Sequence, residues 1–563
     1  MADAFSIGTS ALFSLQQAIK TTGQNIANVN TEGYSRQFVD FSARRPEGQG
    51  GFYLGTGVEI TAVRRAYDQF LTQDFQSRTS SAAYYSSLAE TSGRIDELFA
   101  DPTTGIGPAL NDFFASMEAV ANSPTTLPER QVMISQAETL AQRFQYFDGR
   151  LSEFQTELNV KIQTAASDVN QYAQVIAELN DQIALQDAQT GGNPSGDLLD
   201  QRDLAIARLS ELVQTSTQVQ DDGSVNVFIG KGQPLVIGSN AGLLKAVPDD
   251  LIPNRLSLFV ETGGQQGVEI TSFLNGGEIG AALAASDDVI DKVRRDIGVL
   301  AAGLTVQFNQ VHREGIALDG ASTGINFFAS AAGVPNDPSQ TSGTGTATIS
   351  AIIDDPLDPT DDDNITQLTG DSYRLDYSAG NLRVTNLTAN TPPQDIIIPA
   401  ATTDFKLLID GVTLTIDDTT NLADGDIFLL APTASAAGNF GVAITDPNDV
   451  AAAQALDSPG DNRNIQALIE LQDEATLVGE ATFADFYTNT TSSIAVQTRR
   501  ANSLAETEAS LLASATARKE NVSGVNLEEE AANLIRFQQA FQAAAQVITV
   551  SRDIFDTLLR ATE

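Results

Sequence analysis

The sequence predicts a multidomain α+β protein: terminal helices forming a coiled-coil rod, a long helical-hairpin or bundle domain, and an inserted all-β domain. Three observations predict it. The last forty residues place apolar side chains at alternating steps of four and three. A longer helical seam runs unbroken from Leu151 to Ile183. From about 331 to 450 the composition shifts to Thr, Asp, Gly and Pro with short β-branched runs.

At the C-terminal end the seam steps from Leu527 through Ala531, Leu534, Gln538, Phe541, Ala545, Ile548, Arg552 and Phe555 to Leu559, and eight of these ten positions are apolar. A repeat of 3.5 makes one narrow stripe that wants a partner helix. Asn526 is placed to cap the first turn, with Glu529 three residues on as the capping-box acid. Glu528, Glu529 and Glu530 sit at the positive end of the helix dipole.

The N-terminal end alternates in the same way through Phe5, Gly8, Leu12, Leu15, Ile19, Thr22 and Ile26. That helix is expected to stop in the stretch Asn25 to Arg36, where Asn28, Asn30 and Gly33 are turn formers. Thr31 lies inside this turn, and Tyr34 offers a large anchor with a polar tip. Each terminal helix is therefore the natural partner of the other.

After the turn comes a short glycine-rich region expected to be irregular, then strand-like alternation from Val58 to Val63. Helical pattern starts near Asp68 and is punctuated by Pro102, Pro108, Pro124 and Pro128. The long seam belongs to a helix beginning near Arg130 and ending at Gly191-Gly192-Asn193-Pro194, with a second helix returning from Leu198 to Val213. Residues 216–275 read as a small β excursion opened by the turn Asp221-Asp222-Gly223. A helix is expected from Asp287, with Ile290, Val293, Ile297, Leu300, Leu304 and Val311 on one stripe. Helical character is expected again from Asn464 to Arg518 through Leu468, Leu471, Ala475 and Val478. The expected domains are 1–60 with 519–563 (terminal helical), 61–330 with 451–518 (mainly helical, carrying the β excursion) and 331–450 (all-β, outermost).

Composition narrows the function. The chain has 563 residues, 32 Lys+Arg against 73 Asp+Glu, and a net charge of −41. Repulsion disfavours nucleic acid and anionic membrane surfaces as partners. There is no Cys, hence no disulfide, thiolate nucleophile or Cys-ligated metal. No stretch approaches the ~20 apolar residues of a membrane span, so no membrane insertion is expected. The start of the sequence lacks a basic n-region and an unbroken apolar h-region, and so is not expected to be a cleaved signal peptide.

Catalytic signals are lacking. His312 is the single histidine and has no constellation around it in the sequence. Its place near a helix end predicts a favoured charged form. The aspartates at 354, 355, 358, 361, 362 and 363 could suggest calcium, but the EF-hand pattern is absent and a solvated acidic loop is expected. Phosphate loops and nucleophile elbows are absent. No catalytic residue, cofactor or metal is expected.

Four segments carry a resemblance. Asn25 to Arg36 resembles the signature of the axial-protein family of the bacterial flagellum (rod, hook and hook-associated proteins). Val522 to Phe541 is similar to the ending of its hook-associated branch. Leu198-Leu199-Asp200-Gln201-Arg202-Asp203 and Asn309-Gln310-Val311-His312-Arg313-Glu314-Gly315, followed by Phe327-Phe328, resemble internal motifs of that branch. The resemblance implies a structural, non-enzymatic subunit at the hook–filament junction, exported by the flagellar type III apparatus to an extracellular position. It implies as partners the protein itself, in a ring or helical assembly, the hook protein, the second hook-associated junction protein, and a cytoplasmic export chaperone on the C-terminal helix. The residues it marks for assembly are Phe5, Leu12, Leu15, Ile19, Ile26, Asn28, Thr31, Gly33, Tyr34, Leu527, Leu534, Phe541, Ile548, Phe555 and Leu559. Another axial protein (hook or rod) is the near alternative. A secreted adhesin is the remote one, since no anchor accompanies the sequence.

Overall fold

The computed structural model describes residues 3–49, 52–101, 105–264, 267–329, 339–353, 364–389 and 391–562. The acidic stretch 354–363 lies outside them. The first helix spans Asp3–Ala27 and the last Leu527–Thr562, and they pack along one another. Asn526 caps the last helix as expected, its Oδ1 accepting from the Glu528 amide (3.0 Å) and the Glu529 amide (3.4 Å).

Next to this pair lies a hairpin of strands Gln37–Ala43 and Val58–Arg65, antiparallel with a bulge at Asp40/Phe41. The first of these strands lies between the Tyr34 turn and the glycines that begin at Gly48, where no strand was expected. Its register sets Phe38 opposite Arg64 and Phe41 opposite Ile60.

The helical body begins with Gln69–Ala100, capped by Asp68 accepting from the Leu71 amide (3.1 Å). It packs along the penultimate helix, Phe483–Ser523. The longest helix, Leu127–Thr190, buries Leu151, Phe154, Leu158, Ile162, Val169, Ile176, Leu179 and Ile183. It stops where Gly191 turns left-handed at φ +66°, a conformation a Cβ would oppose. The return helix is Gly196–Leu212. The β excursion is antiparallel, with Val225, Val227 and Ile229 turned into the body.

Two expected helices change. The one expected from Asp287 starts ten residues earlier, as Gly277–Ala284, a π-turn over Ala285–Ile290, and Asp291–Glu314. The helix expected continuously from Asn464 is broken. Arg463–Glu470 ends, Gly479 and Glu480 adopt positive φ, and Thr482 caps a new start. Ala475 consequently lies exposed rather than on a stripe.

Phe113, Phe308, Phe327, Phe328 and Phe440 form the aromatic centre of the body, with ring centroids 4.8–5.9 Å apart. Asn309 pins Phe327-Phe328 to this centre. Its Oδ1 accepts both their amides at 2.9 Å and its Nδ2 donates to the Phe328 carbonyl at 3.0 Å. His312 is fully buried beside them, not charged at a helix end. Its Nε2 accepts the Ala451 amide (2.9 Å), and Nδ1 lies 2.7 Å from the Ile325 carbonyl. Burial holds its pKa down at about 4, and Arg130 nearby acts in the same direction, so the neutral ring is structural. The helix-end expectation fails because loss of solvent outweighs a dipole worth at most ~2 kcal/mol.

Among the described residues of 331–450, the strands form two antiparallel sheets of five and three strands. Leu375, Leu382, Val412, Leu414, Ile416 and Phe428 on these strands are buried.

Candidate assembly interface

The first helix meets the last through mostly small side chains. On the first helix the buried positions are Gly8, Ser10, Ser14, Ala18, Thr21, Thr22 and Asn25. A Cβ added at Gly8 would stand 2.6 Å from Ile548 Cγ1 and 3.5 Å from the Ala544 carbonyl oxygen. On the last helix the covered stripe is Glu530, Leu534, Phe537, Phe541, Ala544, Ile548 and Ser551. The expected seam shares Leu534, Phe541 and Ile548 with it. Its alternate members, Ala531, Gln538 and Arg552, face solvent, because the contact uses the residue one position earlier.

The large apolar side chains flank this contact or point away from it. Phe5 is 55 % exposed and Phe13 75 %, while Leu12, Leu15, Ile19 and Ile26 are half-buried. On the last helix Leu527, Val550, Ile554, Phe555 and Leu559 are each about half exposed.

At the base of the helix pair three distant stretches of sequence meet in a polar clasp. Asn25 is buried and fully used. Its Nδ2 donates to the Gln37 carbonyl (2.8 Å) and Glu530 Oε2 (3.0 Å), and its Oδ1 accepts from Tyr34 Oη (2.8 Å) and the Gln37 amide (2.9 Å). Arg36 donates from Nε to Glu530 Oε1 and from Nη2 to Glu529 Oε1, both 2.8 Å. Glu529 thus serves an ion pair in place of the expected capping box. The Arg36 amide also binds the Ser523 carbonyl (2.8 Å), where the penultimate helix ends.

The third stretch is the return helix. Asp200 accepts the Ser35 amide (2.8 Å) and Arg65 Nη1 (3.1 Å). Arg65 Nη1 also reaches Asp203 (2.6 Å), and Gln37 Nε2 reaches Asp197 (2.9 Å). Gly33 turns at φ +79° over Leu204, which a Cβ would approach to 3.2 Å. Asn28 accepts from Thr31 Oγ1 (3.1 Å) and holds the Gln24 carbonyl (3.0 Å), so both stabilise the turn itself, and Thr31 stays exposed.

The electrostatics follow from burial. Tyr34 is pushed well above the usual phenol range, first by burial and then by Asp197, Asp200 and Glu530. Burial also raises Asp200, against the hydrogen bonds from Ser35 and Arg65. Arg36 stays above its ordinary value because Glu529 and Glu530 together outweigh its burial.

Asn25, Arg36, Asp197, Asp200 and Glu530 were not marked as interface residues by the sequence. The available signal was that Asn25, Arg36, Asp200 and Glu530 lie inside stretches carrying the resemblance, and Asp197 immediately before one. Among the described residues no three His, Cys, Asp or Glu side chains gather as a metal site, and no helix is long and apolar enough to cross a membrane.

A helical rod made of both chain ends, clasped to a helical body that carries a β domain, defines a structural subunit of the axial type. Family comparisons agree. The family described as the flagellar hook-associated protein FlgK helical domain matches residues 92–328. Those of the basal body rod FlgEFG protein C-terminal and the basal body rod protein match 520–561 and 5–34. Flagellar hook-associated protein 1 of Escherichia coli is 31 % identical over 98 % of both chains, and that of Salmonella typhimurium 30 % over 98 % of both. The chain belongs to the flagellar hook-associated protein 1 family. A solved structure of the flagellar hook junction protein FlgK from Burkholderia pseudomallei aligns with a TM-score of 0.69 at 20 % identity. It covers 80 % of this chain and 100 % of that one, which supports the fold.

Proposed function

We propose that this subunit of the hook–filament junction self-assembles through its paired terminal helices, which line the inner tube. The helical body forms the layer outside them and the β domain faces solvent. The assembly stands between the hook protein and the second hook-associated junction protein. The subunit leaves the cell through the flagellar type III route with its N-terminal helix retained, and a cytoplasmic chaperone covers the last helix before export. Its role is structural rather than enzymatic.

One observation carries this reading. The first helix meets the last through small side chains, and the pair leaves Phe5, Phe13, Val550, Ile554 and Phe555 exposed. An apolar surface of that kind on a soluble protein marks an interaction site, and copies joined head to tail build a ring or open helix. Cells in which Leu527 to Glu563 is deleted are expected to carry hooks without filaments. Filaments of normal number and length would overturn the reading.

A further inference from the structure

The hairpin beside the helix pair has the opposite charge character from the rest of the molecule. Between Arg36 and Arg65 the sequence has five arginines and three acids, within a chain of net charge −41. Arg36 and Arg65 are consumed by the clasp. Arg44, Arg45 and Arg64 face solvent. Two of them make open ion pairs, Arg44 with Glu59 at 4.0 Å and Arg64 with Asp40 at 3.1 Å. Such pairs are worth little, so these cations keep most of their capacity for an outside partner. Phe38, directly opposite Arg64 in the register, is 43 % exposed. The other aromatic of the strand, Phe41, faces the last helix, its ring 6.4 Å from that of Phe537. The exposed face therefore combines one aromatic with arginines, a composition enriched at protein interfaces.

The same molecule carries a complementary surface. A cleft of about 770 Å³ opens beside the clasp, between the turn, the start of the Gln69–Ala100 helix, the return helix and the end of the penultimate helix. Its acids Glu32, Asp68, Asp203, Glu211, Glu520 and Glu529 outnumber its bases Arg36, Arg208 and Lys519. Cleft and hairpin adjoin the same clasp, yet a single hairpin cannot fill its own cleft while its strands lie on the terminal helices.

We propose that the arginine face of this hairpin docks into the acidic cleft of a second copy of this chain. This rests on the self-assembly read above and names its lateral contact. A surface that fits a different surface of an identical molecule is heterologous and propagates around a ring or along a helix. Charge complementarity sets the register of such a contact and makes it sensitive to salt.

The test is a charge swap in the full chain, read as the fraction of exported protein retained at hook ends rather than released into the medium. Arg44→Glu/Arg45→Glu/Arg64→Glu is expected to lower retention about tenfold. Glu32→Lys/Glu211→Lys/Glu520→Lys is expected to do the same, and the two sets combined in one chain are expected to restore it. Circular dichroism of each purified variant checks that the fold survives. Retention of the arginine variant at the wild-type level, or failure of the combined chain to recover while remaining folded, would overturn the contact. Failure of the unmodified protein to be retained would instead overturn self-assembly itself.

Discussion

Replacing Glu530 with alanine tests the clasp where its parts converge. Glu530 is 2 % exposed and receives Asn25 Nδ2 at 3.0 Å and Arg36 Nε at 2.8 Å. Its removal costs one charge-assisted hydrogen bond and strands one amide hydrogen of Asn25, whose other hydrogen still reaches the Gln37 carbonyl. Breaking a fully buried ion pair costs about 3–5 kcal/mol. The Arg36 side chain is 25 % exposed and keeps Glu529, so the loss is smaller, about 2 kcal/mol once that screening is allowed for. The clasp joins the arm to the body without forming part of the aromatic core, so the loss should appear as local opening. At ~1.4 kcal/mol per decade, amides in 24–37 and 522–531 should exchange about thirty times faster, with the core of the body unchanged. Glu529→Ala removes a partner that is 55 % exposed and should change the same amides by less than about threefold. Hydrogen exchange read by mass spectrometry measures both. Rates within twofold of wild type in Glu530→Ala, or loosening spread evenly through the helical body, would refute the reasoning.

Two further outcomes are expected. Gly8→Val forces a branched side chain into the 2.6 Å approach to Ile548. It should cost about 1–3 kcal/mol and lower the melting temperature of the terminal helices, followed at 222 nm, and an unchanged melt would show that the helices do not meet there. His312 has its folded pKa lowered to about 4 from ~6.5 in the unfolded chain. The unfolded state therefore binds more protons between those values. The stability owed to the neutral ring is complete above about pH 6.5 and is lost as pH falls towards about 4, by about 3 kcal/mol in all. His312→Gln should flatten the pH dependence of unfolding by that amount relative to wild type, and an identical slope in the two proteins would count against a neutral buried ring.

Features set by neighbouring residues were legible in the sequence. The seam of the longest helix, its stop at Gly191 and the Asn526 cap depend on spacing within a few turns, and the structure has all three. Features set by distant pairs were not. Asn25 and Glu530 are 505 positions apart, and nothing in either local pattern names the other. The helix starting at Gly277 was missed for a related reason. A Gly-Gly pair is a helix-breaking signal, yet Gly277 at φ +62° approaches the Leu212–Val213 backbone so closely that a Cβ would stand 2.4 Å away. Only the fold reveals that the glycine is there for this contact.

The terminal helices show a different kind of mismatch. Reading periodicity weights large apolar residues, and on the first helix it selects Phe5, Gly8, Leu12, Leu15, Ile19, Thr22 and Ile26, of which only Gly8 and Thr22 are fully buried. The surface that closes against the last helix is the neighbouring stripe of Gly, Ser, Ala and Thr. Small residues let two backbones approach closely, and that close approach pushes the bulky side chains to the flanks of the pair. On the first helix most of the pattern strongest in sequence is thus the face left over after the intramolecular contact is made, whereas on the last helix Leu534, Phe541 and Ile548 serve that contact. In a monomer that stood alone, selection for solubility would place polar residues there. Under the self-assembly proposed above, Phe5 and Phe13 on one helix, with Ile554 and Phe555 on the other, serve contacts between molecules, while the small residues of the first helix serve the contact within one.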